Sequence, residues 1–400
     1  MPNLKGTTFG RFTKLHNMST VYLILKEDII DFPPVLSILH VLSNTRYKVI
    51  HMGTYSDNIG KKALEDDGVE FVPMPHYDGA SSLPKKMWQQ IKFRKKVSSY
   101  LKRAKLSNND DLVWLIQAET IYLLSTLVKK YRTICHFFEF ADTKVSWKYR
   151  ALNPFIDLSD VLQHAYKVVC CEYNRAQIAK GIFQLTNIPI ILPNKIIFNE
   201  RDIENIPEDV SHMVETVRKK VEGKKVILYQ GIFLDKERRL EEFCETTNDL
   251  PQDFVFIAMG KGSNLYEQLK KKYESDRILF IPFVRPPYHL LITKMASIGV
   301  LSYFPRPGSI GRTLNPLYCA PNKIFEYSKF GIPMISNDVP ALKFSFMEYH
   351  CGECIKYPMT KEAISNTIKK IIDNYQEYSN GAVNYYNSVN PEDIIMSIVE

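Results

Sequence analysis

No stretch of the 400 residues is apolar for long enough to cross a bilayer. The best candidate, Leu112 to Val128, is broken by Gln117 and Glu119 and reads as a strand running into a helix. The opening MPNLKGTTFGRFTKLHNMST lacks the apolar core of a secretory signal, so 1–19 reads as a disordered lead, with Met18 a candidate start. No GxGxxG follows an early strand, which leaves a nicotinamide dehydrogenase without its phosphate loop. Gly260-Lys261-Gly262, after FVFIAM, is a near miss that reads as a strand-end turn. The seven cysteines are odd in number and scattered, which argues for a reducing compartment rather than a disulfide framework. One CxxC occurs, Cys351-Gly-Glu-Cys354; a zinc site needs four ligands, no second pair lies near, and no metal is assigned. There is no short-period repeat.

What is present is an ordinary globular balance, 45% hydrophobic and 24% charged, in a chain long enough for about two or three domains. The net charge of +8 is unevenly spread. Between Pro84 and Leu106 stand Lys85, Lys86, Lys92, Arg94, Lys95, Lys96, Lys102, Arg103 and Lys105, with no acid among them. Phe93, Val97, Tyr100, Leu101 and Ala104 fall at helical spacing through the same stretch, with Met87 and Trp88 ahead. A basic amphipathic helix suits an anionic membrane surface; the competing reading is a solvated helix whose stripe packs on its own domain. Nucleic acid is not assigned, because no recognition motif accompanies the charge.

Strand–helix alternation appears twice. The first series runs through VYLILK, YKVIHMG, VEFVPM, LVWLIQ, TICHFF and KVVCCE, and closes with IPIILPN, Ile188 to Asn194. A polar stretch, Asn199 to Gly223, interrupts it. The second series runs through KKVILYQG, FVFIAMG, RILFIPF, IGVLSY and PMISND. Strands apolar throughout, alternating with helices, imply parallel sheets covered on both faces. The expected organisation is an α/β fold of two Rossmann-like, doubly wound parallel-sheet domains, 20–195 and 224–385, joined by 196–223. A C-terminal helix, 386–400, is free to pack back on the first domain. Ligand is expected between the C-terminal edges of the two sheets.

In the second half, the strand VILYQG ends in Gly231, and a loop leads to Arg238 and Arg239 at a helix start. Glycine lets the backbone approach a phosphate, and arginine neutralises it. The stretch PNKIFEYSKFGIPMISND, Pro321 to Asp338, carries the strongest signal. Pro321 suits the first helical position, and the helix N-terminus turns free N–H groups and Lys323 towards an anion. Glu326 follows one turn later on the same face, where it can accept both hydroxyls of a ribose. Gly331 and Pro333 end the helix.

These motifs resemble the nucleotide-sugar glycosyltransferases of GT-B fold, in particular the retaining, family-4-like enzymes of bacterial surface polysaccharides. APNKIFEYSKFGIPMIS resembles their SPNKLFEYMAxGxPVI; ASIGVLSYFP, Ala296 to Pro305, resembles ADIGLxPY. YQGIFLDKERRLEE resembles YxGxxxxxRGLEE, which aligns Arg238 with the phosphate-binding arginine. CCEYNRAQI resembles PExxRA, and ILPN, Ile191 to Asn194, the hinge VxPN. The matches cover most of Tyr166 to Asp338. The family's Glu-x7-Glu is broken, since Tyr318 stands in the first position. The loop Pro307 to Ala320, which in the family faces the donor sugar, is long and different, with Asn315 and Arg312 its polar candidates.

The resemblance implies a transferase, hexosyl in type, that moves a sugar from a nucleotide-diphosphate donor to a glycan or lipid-linked acceptor with retention. Gly231, Arg238, Arg239, Asn315, Asn322, Lys323 and Glu326 would hold the donor, and Arg238 and Lys323 would stabilise the leaving diphosphate. No cofactor or metal is expected, since fixed cations take that role and no Asp-x-Asp occurs. In the first domain Glu139, at a strand's C-terminal end, contacts the acceptor or serves as base, and Glu172, Asn174 and Arg175 open a helix at the same edge. Capping or a surface salt bridge is the competing reading for each. His136 reads as a core histidine. The expected setting is cytoplasmic, peripheral on the inner face of the cell membrane. A nucleotide-sugar epimerase of the same fold and an inactive binding subunit of a polysaccharide-synthesis complex are the rival readings.

Overall fold

The computed structural model describes residues 19–75, 81–107, 110–141, 147–151, 156–197 and 206–400. The expected lead lies almost wholly outside these residues. Two parallel sheets form the frame. The first contains β1 (Thr20–Asp28), β2 (Lys48–Thr54), β3 (Glu70–Pro73), β4 (Leu112–Ile116), β5 (Thr133–Phe137), β6 (Lys167–Cys170) and β7 (Ile190–Ile191), in the order β3-β2-β1-β4-β5-β6-β7. The second contains β8 (Lys225–Ile232), β9 (Phe254–Lys261), β10 (Ile278–Pro282), β11 (Ile298–Leu301), β12 (Met334–Asn337) and β13 (Gly352–Ile355), in the order β10-β9-β8-β11-β12-β13. The strand expected over Ile188 to Asn194 pairs through only Ile190 and Ile191, because Pro193 has no N–H to give a ladder.

Strand alternation divides each sheet's side chains between two cores. On β1, Val21, Leu23 and Leu25 pack with Ile38, Trp114 and Ile116, while Tyr22 and Ile24 pack on the other face with Val97, Val113 and Leu115. On β8, Val226 and Leu228 take one face and Ile227 and Tyr229 the other. Burial on both faces explains why these strands read as unbroken apolar runs.

The basic helix spans Leu83–Ala104. Its stripe is not an insertable face: Phe93, Val97 and Leu101 are buried in the first domain's core, where they cover one face of the sheet. Tyr100 donates its hydroxyl to Glu70 at 3.1 Å. The basic side chains face outward with Trp88, which is 55% exposed and carries Lys92 over its ring at 3.4 Å.

The polar stretch between the domains contains the helix Glu208–Val221, and Val210, Val214, Val217 and Val221 bury it in the second domain. Residues 198–205 of that connection lie outside the described set. The return crossing falls after the helix Tyr375–Asn387, because Phe325 and Tyr385 stack at 5.2 Å and hold that helix on the second domain. The last helix, Pro391–Val399, then packs on the helix Pro34–Ser43 of the first domain, with Ile395, Ile398 and Val399 fully buried there. The C-terminal helix expected over 386–400 therefore begins at Pro391. All seven cysteines are free thiols, and all but Cys354 are buried.

Candidate functional site

Strand order reverses between β1 and β4 in one sheet and between β8 and β11 in the other, and ligands of open α/β sheets bind at such points. On β8 and β9, Gly231 and Gly260 are direct neighbours in register. A side chain at Gly260 would begin 1.8 Å from the Gly231 carbonyl oxygen, and Gly231 has φ +139°. Only glycine fits either position, so the floor here is bare backbone. Gly260, expected as a plain strand-end turn, thus lies inside β9 and lines the site.

Above this floor stands the helix Asn322–Lys329. Pro321 precedes it with ψ 137°, so the proline occupies the N-cap rather than the first helical position. Its ring has no group to cap the helix, and among the described residues no side chain does so. The helix ends in a Schellman turn: Gly331, at φ +62°, donates to Ser328 O at 3.0 Å, and Ile332 donates to Tyr327 O at 3.1 Å.

Glu326 is 7% exposed. His289 Nε2 lies 3.2 Å from its Oε1, and Gln230 donates to its Oε2 at 2.5 Å. Gln230 is oriented in turn by Thr293, whose hydroxyl donates to Gln230 Oε1 at 2.7 Å. Burial works against the Glu326 carboxylate, but His289, Lys323 and the Gln230 amide together hold it below the usual carboxylate range. Burial, followed by repulsion from Arg238, pushes the Lys323 ammonium down to about 8.

Arg238 lies over the Tyr303 ring at 4.3 Å and pairs with Glu237 at 2.7 Å. Arg306 holds the other oxygen of Glu237 at 2.9 Å. Arg239 turns away, stacking at 4.6 Å on Phe304 and 5.1 Å on Tyr357. The two arginines are thereby separated: Arg238 lines the cleft, and Arg239 does not.

Two cavities meet here, sharing Pro33, Pro321 and Asn322. One, of 290 Å³, is lined by Gly231, Gly260, Phe283, His289, Lys323 and Glu326. The other, of 230 Å³, brings Glu139, Arg175 and Gln117 of the first domain against Arg238, Tyr303 and Asn315 of the second. Glu139 is exposed just beyond β5. His136 is buried with both ring nitrogens unpartnered, and burial drives it down to about 3, as fits a core histidine. Glu172 caps its helix by accepting from Arg175 N at 2.9 Å, and Asn174 donates to it at 2.7 Å; neither lines the cavity. Arg175 and Asn315 engage the backbone of the opposite domain.

The stretch expected as a loop from Pro307 to Ala320 contains a helix, Ile310–Leu317, capped by Ser309. Pro316 within it cannot donate to the carbonyl of Arg312; Arg306 N–H takes that carbonyl at 3.1 Å instead. Arg312 is exposed and outside both cavities. Sequence reading missed Gln230, His289 and Tyr303. Tyr303 and Gln230 lie in the quoted SYFP and YQG segments and His289 in none; Gln230 and His289 reach Glu326 only through packing.

No protein-family model matches the chain, and no curated protein does. Solved structures match it over at least 95% of its length. A glycosyltransferase from Rickettsia africae is 13% identical, with 96% of this chain and 97% of that chain covered and a TM-score of 0.64. HepE of Anabaena in complex with UDP is 13% identical over 95% of this chain and 98% of that one, at a TM-score of 0.63. HepE has also been solved with UDP-glucose. This chain has the GT-B fold. MnaA of S. aureus, solved with UDP, shares that fold at 13% identity, 96% and 95% coverage and a TM-score of 0.60. Within the GT-B frame, the Glu326 cavity lies on the second domain and the Glu139 wall on the first. Among the described residues, no helix is long and apolar enough to cross a membrane.

Proposed function

We propose that this chain is a glycosyltransferase that takes a sugar from a nucleoside-diphosphate donor, with uridine as the base, and passes it to a glycan or lipid-linked acceptor. The observation that carries this reading is the buried Glu326, oriented by His289 and Gln230, one turn behind an uncapped helix start that faces the Gly231–Gly260 floor. The ribose meets Glu326 and the diphosphate meets the helix start, Lys323 and Arg238. The neighbours HepE and MnaA, both solved with UDP, support uridine. Charge on the departing diphosphate is stabilised by fixed cations, so the reading needs no metal. Retention of configuration, hexosyl transfer and a place in surface-polysaccharide synthesis rest on the motif resemblance. Buried free thiols support a cytoplasmic setting.

The deciding assay follows UDP release from UDP-sugars with and without a lipid-linked acceptor. Release that rises on adding acceptor supports transfer. UDP binding without release in either arm would make the chain a binding subunit, and isomerisation of the donor sugar would make it an epimerase.

The outward bases of the helix Leu83–Ala104, with exposed Trp88 among them, support a peripheral position on an anionic membrane. Each such base contributes about 1 kcal/mol near the surface, in a field that fades within about 8–10 Å. Vesicles rich in anionic lipid should therefore bind the protein at low salt and release it as salt rises, while neutral vesicles bind little. Replacing Lys92, Arg94, Lys95 and Lys96 by Gln should abolish flotation and leave UDP affinity unchanged. Wild-type protein that ignores anionic vesicles at low salt removes the membrane from this reading.

A further inference from the structure

Arg175 is a buried cation, 6% exposed, on the first-domain helix Tyr173–Ile182. Its Nε donates to Tyr318 O at 2.6 Å and its Nη2 to Asn315 O at 3.2 Å, both across the domain boundary. Its Nη1 donates to Phe138 O and reaches Cys171 Sγ at 3.3 Å within its own domain. The guanidinium also lies 5.5 Å from the centre of the Phe140 ring. These partners are carbonyls, a thiol and a ring, so the planar fork serves as a hydrogen-bond bridge rather than an ion pair. The second domain answers in kind: Asn315 Oδ1 accepts the Phe140 N–H at 2.9 Å.

Glu139 sits between these two anchors. The carbonyl before it belongs to Phe138 and is held by Arg175; the N–H after it belongs to Phe140 and is held by Asn315. Glu139 itself makes neither bond and presents an exposed side chain to the cavity. Asn315 and Tyr318 lie just before the helix start at Asn322, which faces the donor cavity. We propose that Arg175 and Asn315 are positioning residues: they clamp the domains together and, by fixing both peptide units around Glu139, bring the acceptor wall into place only when the cleft is closed. Glu139's part in transfer rests on the function proposed above; the clamp does not.

The test uses the full-length protein with two variants. Arg175→Lys keeps the charge and loses the fork, and Asn315→Ala removes the acceptor for Phe140 N–H while leaving Arg175 in place. Each should raise the exchange rate of the Phe140 amide about five- to tenfold, the scale of one lost hydrogen bond, and shift small-angle scattering towards a more open molecule. Each should lower kcat for transfer by a similar factor while the Kd for UDP stays within about twofold. The double variant should lose less than the product of the two, because both act on one contact. Unchanged Phe140 exchange and unchanged scattering in Asn315→Ala overturn the clamp, even if Arg175→Lys fails to fold. A loss of UDP affinity as large as the loss of kcat also overturns it, since the residues would then act in donor binding. Faster exchange and opening in a protein whose wild type neither binds UDP nor transfers sugar would uphold the clamp and refute the transferase reading.

Discussion

Replacing Glu326 by Ala should weaken UDP binding about thirty- to a hundredfold, the equivalent of about 2–3 kcal/mol. The loss has two parts. Ribose hydroxyls that enter a buried site find no acceptor, and His289 and Gln230, which now point at Glu326, lose their common partner. The second part lowers stability as well as binding, so affinity is best measured by calorimetry well below the variant's melting temperature. Glu326→Gln keeps the shape and removes the charge, and should fall between wild type and Glu326→Ala. The carboxylate is held below its usual range, so its stabilising ionisation is present above the ordinary carboxylate pKa and lost as pH falls through the depressed one. UDP affinity should accordingly be flat through neutral pH on this group's account. Undiminished affinity in a folded Glu326→Ala protein would remove the ribose assignment.

Arg238→Ala should weaken UDP about ten- to a hundredfold and leave uridine within about twofold, because only the diphosphate presents the charge that a guanidinium recognises. Arg239→Ala is the internal control, since Arg239 stacks on Phe304 and Tyr357 away from the cleft. Equal losses for UDP and uridine would mean that Arg238 acts through the packing of Tyr303 and Glu237. Lys323 adds a pH signature. Its folded pKa of about 8 lies below the ordinary lysine value, so the free site is half-protonated near pH 8 and sheds its proton as pH rises further. A bound diphosphate favours the ammonium, so UDP affinity should fall as pH rises past 8, by up to about tenfold per pH unit. Lys323→Met should flatten that limb. Folding itself has the opposite slope: between pH 8 and the unfolded lysine value the unfolded chain binds more protons, and stability rises with pH.

Much of this protein was legible before any coordinate. The double series of wholly apolar strands required parallel sheets covered on both faces, because only such burial tolerates a run like Val21 to Leu25 without a polar residue. The helix start at Asn322, the carboxylate one turn on and the glycine stop at Gly331 are local features, set within a few residues by capping and the left-handed turn. Arg238, which the motif alignment assigns to phosphate, lines the cavity, whereas Arg239, expected beside it at the donor, stacks on Phe304 and Tyr357. Other features depend on contacts far apart in the chain. The apolar stripe of the basic helix reads equally well as a membrane face or a core face, and only the exposed sheet it had to cover assigned it inward. Arg175 and Asn315 look like ligand groups in sequence, yet the hydrogen bonds they make across the domain boundary span 140 to 175 positions. Gln230 and His289 come to Glu326 from 96 and 37 positions away, the first through a hydrogen bond and the second through a 3.2 Å contact of its Nε2. The sequence by itself determined the strands, their burial on both faces and the chemistry at the ends of the helix Asn322–Lys329, because those follow from apolar runs and helix-end residues over short distances. Only the tertiary structure decided which polar groups face the cleft and which tie the two domains together, because a hydrogen bond between distant segments leaves no periodic trace in either one.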